Sequence, residues 1–149
     1  MALITPDYVR LYIRDQIEYN RLLDELEFKD ERVAQAMDLV IDMYNIMTPI
    51  TSYNANNFPN RFLLLMGTLY NLFLGEAAMA ARNEMNYSDG GLQIPIEERF
   101  QYYSALADKY GALFTQMSQQ NKIQENLEGG WGEVSSDFAY FPNNFMIMP

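Results

Sequence analysis

Between Asp42 and Glu76 the chain carries a single formal charge, at Arg61. A stretch so long without charge cannot lie on a water-facing surface, so it must be buried on several sides, within the fold or by partners. Its two halves differ in chemistry. Thr48 to Pro59 is rich in Asn, Ser, Thr and Pro, the composition of a loop. Phe62 to Gly75 is apolar, but it is bounded by Arg61 and Glu76 and contains Asn71. It falls short of the roughly 20 apolar residues that span a bilayer. The expectation is a central buried helix entered from a neutral loop, with no membrane span.

Helical periodicity organises the rest. Thr5-Pro6-Asp7 begins a short first helix, with a hydroxyl N-cap, proline at the first position and an acid at the positive dipole end. Tyr8, Leu11 and Tyr12 recur on one face, with Val9 and Ile13 beside them. That pattern either runs on to Leu26 or breaks near Asn20, and the break is the preferred reading. Asp30 is expected to cap a second helix reaching about Met47. Its buried stripe is Val33, Met37, Val40, Ile41 and Tyr44, while Arg32, Gln35, Asp38, Asp42 and Asn45 face away. Thr48-Pro49 ends it, because proline cannot continue the hydrogen-bond ladder.

Asn60 caps a third helix running to about Asn86, with Leu63, Met66, Tyr70, Phe73, Ala77 and Ala80 as its seam. Gly67, Gly75, Ala77, Ala78, Ala80 and Ala81 give it small surfaces for a close neighbour. Tyr87 to Gly91 is turn chemistry, and Leu92-Gln93-Ile94 is extended ahead of Pro95. A fourth helix starts near Pro95 with Glu97 and Glu98 in its first turn. Its seam is Ile96, Phe100, Tyr103, Ala107, Tyr110, Phe114 and Met117. It is expected to fray from Gln119 to Glu128 and stop at Gly129-Gly130. The fold class is all-α: a helical bundle of three long helices plus a short N-terminal helix, with an extended C-terminal tail. Residues 1–128 make the helical domain and 129–149 the tail.

The tail has core-like composition without helical spacing. From Trp131 to Pro149 it holds Glu133 and Asp137 and no base, with Trp131, Val134, Phe138, Tyr140, Phe141, Phe145, Met146, Ile147 and Met148 as its apolar load. Disordered tails are normally polar. Such residues need a surface: either the chain's own helices, or, the favoured reading, a neighbouring subunit or partner. The expected partner-binding residues are Trp131, Phe138, Tyr140, Phe141, Phe145, Ile147 and Met148, hinged at Gly129, Gly130 and Gly132.

The chain has no Cys and no His. Disulfides, thiolate nucleophiles, Cys-ligated metals, Ser-His-Asp triads and His-containing metal motifs are therefore excluded. Carboxylates remain: Asp38 with Asp42 one turn apart, and Glu97 with Glu98 beside a loop. Acids at helix starts and on exposed faces are expected for solubility alone, so no catalytic role is assigned. Ser88-Asp89-Gly90-Gly91 lacks the spaced ligands of a calcium loop and the Gly-Lys-Ser/Thr of a phosphate loop, and reads as a turn. The aromatic seams read as plain core. No enzyme activity, cofactor or metal is expected. A net charge of −10 disfavours gripping nucleic acid. Met1 to Asp7 lacks the basic start and apolar core of a secretory signal, so a reducing cytoplasm is the expected setting.

Several segments resemble the small helical head–tail connector (neck or adaptor) proteins of tailed bacteriophages. They are Ile4-Thr5-Pro6-Asp7-Tyr8-Val9-Arg10-Leu11, then Asn20-Arg21-Leu22-Leu23-Asp24-Glu25-Leu26-Glu27-Phe28, then Arg82-Asn83-Glu84-Met85-Asn86-Tyr87-Ser88-Asp89-Gly90-Gly91, and Asn126-Leu127-Glu128-Gly129-Gly130-Trp131-Gly132. The likeness covers most of the chain as an order of elements, and none of the strings is a specific signature. The neutral loop Thr48 to Pro59 and the aromatic C-terminus depart from it. The resemblance implies a structural virion protein. It would form a homo-oligomeric ring, commonly of twelve copies, between the portal protein and the next neck or tail protein. DNA would pass through the channel without specific binding, and the location would be the virion neck, with the host cytoplasm during assembly. The family offers no catalytic residues. The alternative is a cytoplasmic helical adaptor or regulator that binds a protein partner through the aromatic tail.

Overall fold

The computed structural model describes residues 4–20, 25–83, 87–89, 92–94 and 99–131. Among them are four helices, α1 (Pro6–Ile13), α2 (Asp30–Asn45), α3 (Arg61–Asn83) and α4 (Arg99–Trp131). A short antiparallel ladder, β1 (Tyr87–Asp89) with β2 (Leu92–Ile94), sits in the α3–α4 connection, with Tyr87 opposite Ile94 and Asp89 opposite Leu92. It forms no layer of its own, and the fold is all-α.

α1 opens as its sequence predicts: Thr5 Oγ1 accepts the Tyr8 amide at 3.3 Å, with Pro6 in the first turn. It ends well before Asn20, because Arg14 adopts the left-handed conformation (φ 58) and the Arg14 and Asp15 amides return to the Leu11 and Arg10 carbonyls. The buried residues are Val9 and Arg10, with Tyr8 and Ile13 partly buried against the core, whereas Leu11 and Tyr12 are exposed. Tyr8 lies half-buried under the Arg61 guanidinium, 3.9 Å from its ring centroid.

In α2 all of Val33, Met37, Val40, Ile41 and Tyr44 are buried. The cap differs from expectation. Lys29 is the N-cap and makes no side-chain cap bond, while Asp30 is the first helical residue and its carboxylate accepts from Arg10. Asn60 does cap α3, its Oδ1 accepting the Phe62 and Leu63 amides at 2.8 and 3.2 Å.

α3 is the centre of the fold. Every residue from Leu63 to Leu69 is buried, since both α2 and α4 pack against α3. Each large apolar side chain so buried contributes about 1.5–3 kcal/mol. Its second half buries Leu72, Phe73, Ala77 and Ala80 and leaves Leu74 and Met79 exposed. By length and composition Arg61–Arg82 could cross a membrane, with a mean hydropathy of 1.4, but 61% of that window is buried inside the bundle. Burial, rather than the short length expected from Phe62 to Gly75, marks it as a core helix.

Two glycines set how closely the helices meet. A Cβ at Gly67 would come within 2.5 Å of Val40 Cγ1 and 2.8 Å of Phe114 Cδ2, so α2, α3 and α4 converge there. A Cβ at Gly111 would meet the Tyr70 ring at 2.8 Å. Above this point the Phe73 ring stacks on Tyr103 and Tyr110, with centroids 6.2 and 5.7 Å away.

α4 is described from Arg99, and the expected start near Pro95, with Ile96, Glu97 and Glu98, lies outside the described residues. Ala107 and Phe114 are buried and Tyr103, Tyr110 and Met117 are half-buried, as the seam requires, whereas Phe100 is exposed. The helix does not fray at Gln119 but continues through Gly129 and Gly130 to Trp131. A Cβ at Gly129 would meet open space, so neither a close approach nor a turn calls for glycine there. The two glycines expected as a hinge are thus helical, and Gly132 lies outside the described residues.

Candidate functional site

The second half of α4 is held in place by polar side chains. Lys122 is buried against the neutral loop that follows α2. Its Nζ donates to Pro49 O and Thr51 Oγ1, both at 2.8 Å, and pairs with Glu125 Oε2 at 3.3 Å. The ammonium also lies 4.1 Å from the Tyr44 ring centroid. Two ammonium hydrogens are thus bonded to loop oxygens, and the charge is paired with Glu125 without an aligned hydrogen bond to its buried Oε2.

Glu125 Oε1 accepts the Tyr44 hydroxyl at 2.8 Å and the Tyr53 hydroxyl at 3.1 Å. Both phenols are pushed above their ordinary range, first by burial and then by the Glu125 carboxylate, so they remain donors. Asn45, expected to face away, is half-buried and templates the loop. Its Oδ1 accepts the Thr51 hydroxyl at 3.0 Å and the Tyr53 amide at 2.9 Å, while its Nδ2 donates to Tyr53 O at 2.9 Å. The Tyr44, Tyr53 and Phe58 rings fill the space behind, with centroid separations of 5.0–6.3 Å.

Outside this network lies a cleft of about 310 Å³, lined by Tyr53, Asn60, Asn121, Gln124, Glu125 and Glu128 among others. The same end of the molecule exposes large apolar side chains: Ile46 at 76%, Ile50 at 82%, Ile123 at 61% and Leu127 at 55%. Trp131, the expected start of the binding tail, is the last residue of α4 at this end. Phe138, Tyr140, Phe141, Phe145, Ile147 and Met148 lie outside the described residues.

Two further polar clusters tie the fold. Near α1, Arg10 donates to Phe28 O at 3.2 Å and to the Asp30 and Asp7 carboxylates, while Asp15 accepts the Glu27 and Phe28 amides, both at 2.9 Å. Burial works against the Arg10 charge, but the two carboxylates outweigh it and raise its pKa. At the far end of α3, buried Glu76 lies 2.6 Å from Arg32, and Tyr103 donates to Glu27 nearby. Burial and the Glu27 charge push the Glu76 carboxyl up, against the pull of Arg32.

Among the described residues the carboxylates that line the cleft are Glu125, engaged by Lys122, Tyr44 and Tyr53, and Glu128, which accepts from Gln124. Asp38 and Asp42 are exposed on the outer face of α2 and line no cleft named above. Among the described residues no group of three or more acidic side chains could hold a metal ion. The arrangement is suited to holding a loop, a cleft and an apolar rim in fixed relation. No family model, no curated protein and no solved structure matches the chain.

Proposed function

We propose that this chain is a structural assembly protein, a head–tail connector of a tailed bacteriophage that works in a homo-oligomeric ring between the portal and the next neck or tail protein. The observation that carries the reading is the apolar end of the bundle. Ile46 and Ile50, which flank and enter the loop held by Lys122, and Ile123 and Leu127, one turn apart on α4 beside Lys122, are each exposed. Exposed apolar side chains so grouped mark a surface that another protein covers. Lys122 and Asn45 hold the loop in place before any partner arrives, which lowers the ordering cost of docking. A net charge of −10 would let DNA slide through the ring rather than adhere to it. In this role the chain acts by position and has no catalytic step.

The test is composition and assembly. Mass spectrometry of purified virions is expected to find the protein at about a dozen copies per particle, the stoichiometry of a closed ring. A chain ending at Trp131 is expected to keep its helical circular dichroism and fail to enter particles. Absence of the intact protein from particles, with recovery on one cellular protein instead, would overturn the connector reading in favour of an adaptor. Normal incorporation of the shortened chain would remove the tail from the docking surface.

A further inference from the structure

The outward face of α4 lacks charge where a solvated helix face should carry it. From Tyr110 to Leu127 the only charged residues are Lys122, which is buried, and Glu125, which is half-buried and paired with it. Every exposed position in that span is therefore neutral. α2 shows the contrast, since its exposed positions include Glu31, Arg32, Asp38 and Asp42. With a net charge of −10 the chain is not short of acids, so the neutral face of α4 has the character of a contact surface, where charged residues are depleted.

That face has a seam. Lys109, Leu113, Gln116, Gln120, Ile123 and Leu127 are all exposed and recur at alternating steps of four and three, the spacing with which one helix lies along another. The seam complements itself when run against a second copy in the opposite direction. About a two-fold axis level with Ser118, Leu113 of one copy meets Ile123 of the other, and Gln116 meets Gln120. Lys109 then lies along Leu127 with its ammonium in reach of Glu128. Within its own chain Lys109 stands 5.8 Å from the Tyr110 ring centroid and pairs with no carboxylate among the described residues. A parallel pairing would set each residue against itself and bring two Lys109 ammonium groups together, which is unfavourable.

We propose that α4 is a contact between copies of this chain, two α4 helices pairing antiparallel along the seam from Lys109 to Leu127. A second copy is selected over an unrelated partner because the two halves of the seam match each other, apolar to apolar and amide to amide, with opposite charges at the ends. A neutral seam is also where two chains of charge −10 meet with least repulsion. The contact is isologous, so each pairing occurs twice. It is about 27 Å long at 1.5 Å per residue, a small contact that should be weak and reversible. Ile46 and Ile50 lie off the seam. The contact does not rest on the connector reading, because it needs only two copies in solution.

The test uses the purified full chain. Sedimentation equilibrium is expected to show monomer and dimer in exchange, with a dissociation constant on the order of 10–100 μM for so small a contact. Ile123 is exposed, so Ile123→Lys should keep the helical circular dichroism and weaken the dimer about tenfold or more. Lys109→Glu should weaken it about threefold, and Lys109→Glu combined with Glu128→Lys should restore it. Crosslinking reads the direction of pairing, because the chain has no cysteine of its own. Gln119 is exposed beside the seam and meets itself across the axis, so Gln119→Cys should oxidise to a disulfide-linked dimer. Leu127→Cys should not, since its two copies stand about 27 Å apart. A dimer from Leu127→Cys but not from Gln119→Cys would make the pairing parallel and overturn the proposal. So would a monomer at about 1 mM, or an association that Ile123→Lys leaves unchanged. Particles that lack the protein would overturn the connector reading and leave this contact standing.

Discussion

The two ends of α4 solve the problem of buried charge in opposite ways. At Lys122 one ammonium faces one carboxylate and two neutral oxygens, and two tyrosine hydroxyls donate to that carboxylate. At Tyr103, about 28 Å away along the helix at 1.5 Å per residue, Glu27 accepts the tyrosine hydroxyl and Glu76 pairs with Arg32. There Glu76 is buried, Glu27 is half-buried, and the Arg32 that pairs with Glu76 is itself partly in water. Each end holds one buried carboxylate oxygen in an ion pair without an aligned hydrogen bond, Glu125 Oε2 and Glu76 Oε1, but Lys122 is buried with its partner whereas Arg32 is not. A balanced, connected network fixes structure. A buried acid whose cation stands partly in water keeps a charge that the fold disfavours. The first end is therefore expected to be rigid and insensitive to pH in the neutral range, and the second to respond to pH.

The largest effect should come from breaking the balanced end. Lys122→Met keeps the stem but strips Glu125 of its cation and leaves Pro49 O and Thr51 Oγ1 without their donor. Removing one partner of a buried pair costs about 3–5 kcal/mol, read as a lower urea midpoint. Glu125→Gln added to it should recover about 1 kcal/mol, because the orphaned charge goes with it. A loss below about 1 kcal/mol for the single variant would mean that water already reaches the cluster and the ends do not differ.

A middle-sized effect tests the contact between them. In an open helix Gly→Ala gains up to about 1 kcal/mol. At Gly67 the new methyl would lie 2.5 Å from Val40 Cγ1 and 2.8–2.9 Å from the Phe114 ring. Overpacking of that kind costs about 1–3 kcal/mol, so Gly67→Ala should destabilise by about 1–2 kcal/mol net. Gly75→Ala, in open space on the same helix, should do the opposite. Equal effects at the two glycines would show that α3 moves freely against its neighbours.

What the sequence could reveal follows from the same contrast. Periodic features were legible. The five-residue stripe of α2, most of the α3 seam and the Thr5 and Asn60 caps all repeat or occupy fixed offsets, and all lie as expected. Non-periodic features were not. Lys122, Glu125, Asn45 and Tyr53 come from three separate segments, and no spacing joins them. Polar composition from Gln119 to Glu128 reads as a fraying end until the neutral loop is placed against it. The loop itself was the available signal, since a chargeless, asparagine-rich stretch needs polar partners when buried. Asp30 was misassigned because an acid in a first turn serves equally as cap or ion partner, and Arg10 decides between them only in space. Tyr8, Leu11 and Tyr12 share a face, but only Tyr8 packs on the core, because a helix of 8 residues offers too few turns for its pattern to fix the buried face.

The smallest effect, and the one that most sharpens the contrast, concerns Glu76. Burial, aided by the Glu27 charge, raises its carboxyl above the ordinary 4.5 despite Arg32. In the unfolded chain the group titrates near its ordinary value. Between the two values the folded protein binds more proton than the unfolded one, so stability must fall as pH rises through that window. Below the window both states are protonated and the penalty is absent; above it the penalty is complete and constant. Glu76→Gln removes this contribution, so the variant should match or exceed the natural chain by about 1 kcal/mol or less at pH 7 and lose that advantage near pH 4. Urea midpoints of both proteins across pH 4–7.5 give the comparison directly. Lys122 and Glu125 are untouched by the substitution, so a Tyr53 environment that is unchanged by NMR would confirm that the effect stays at its own end. A difference between the two proteins that does not vary with pH, or one that grows as pH falls, would mean that Arg32 fully compensates Glu76 and that the two ends are alike.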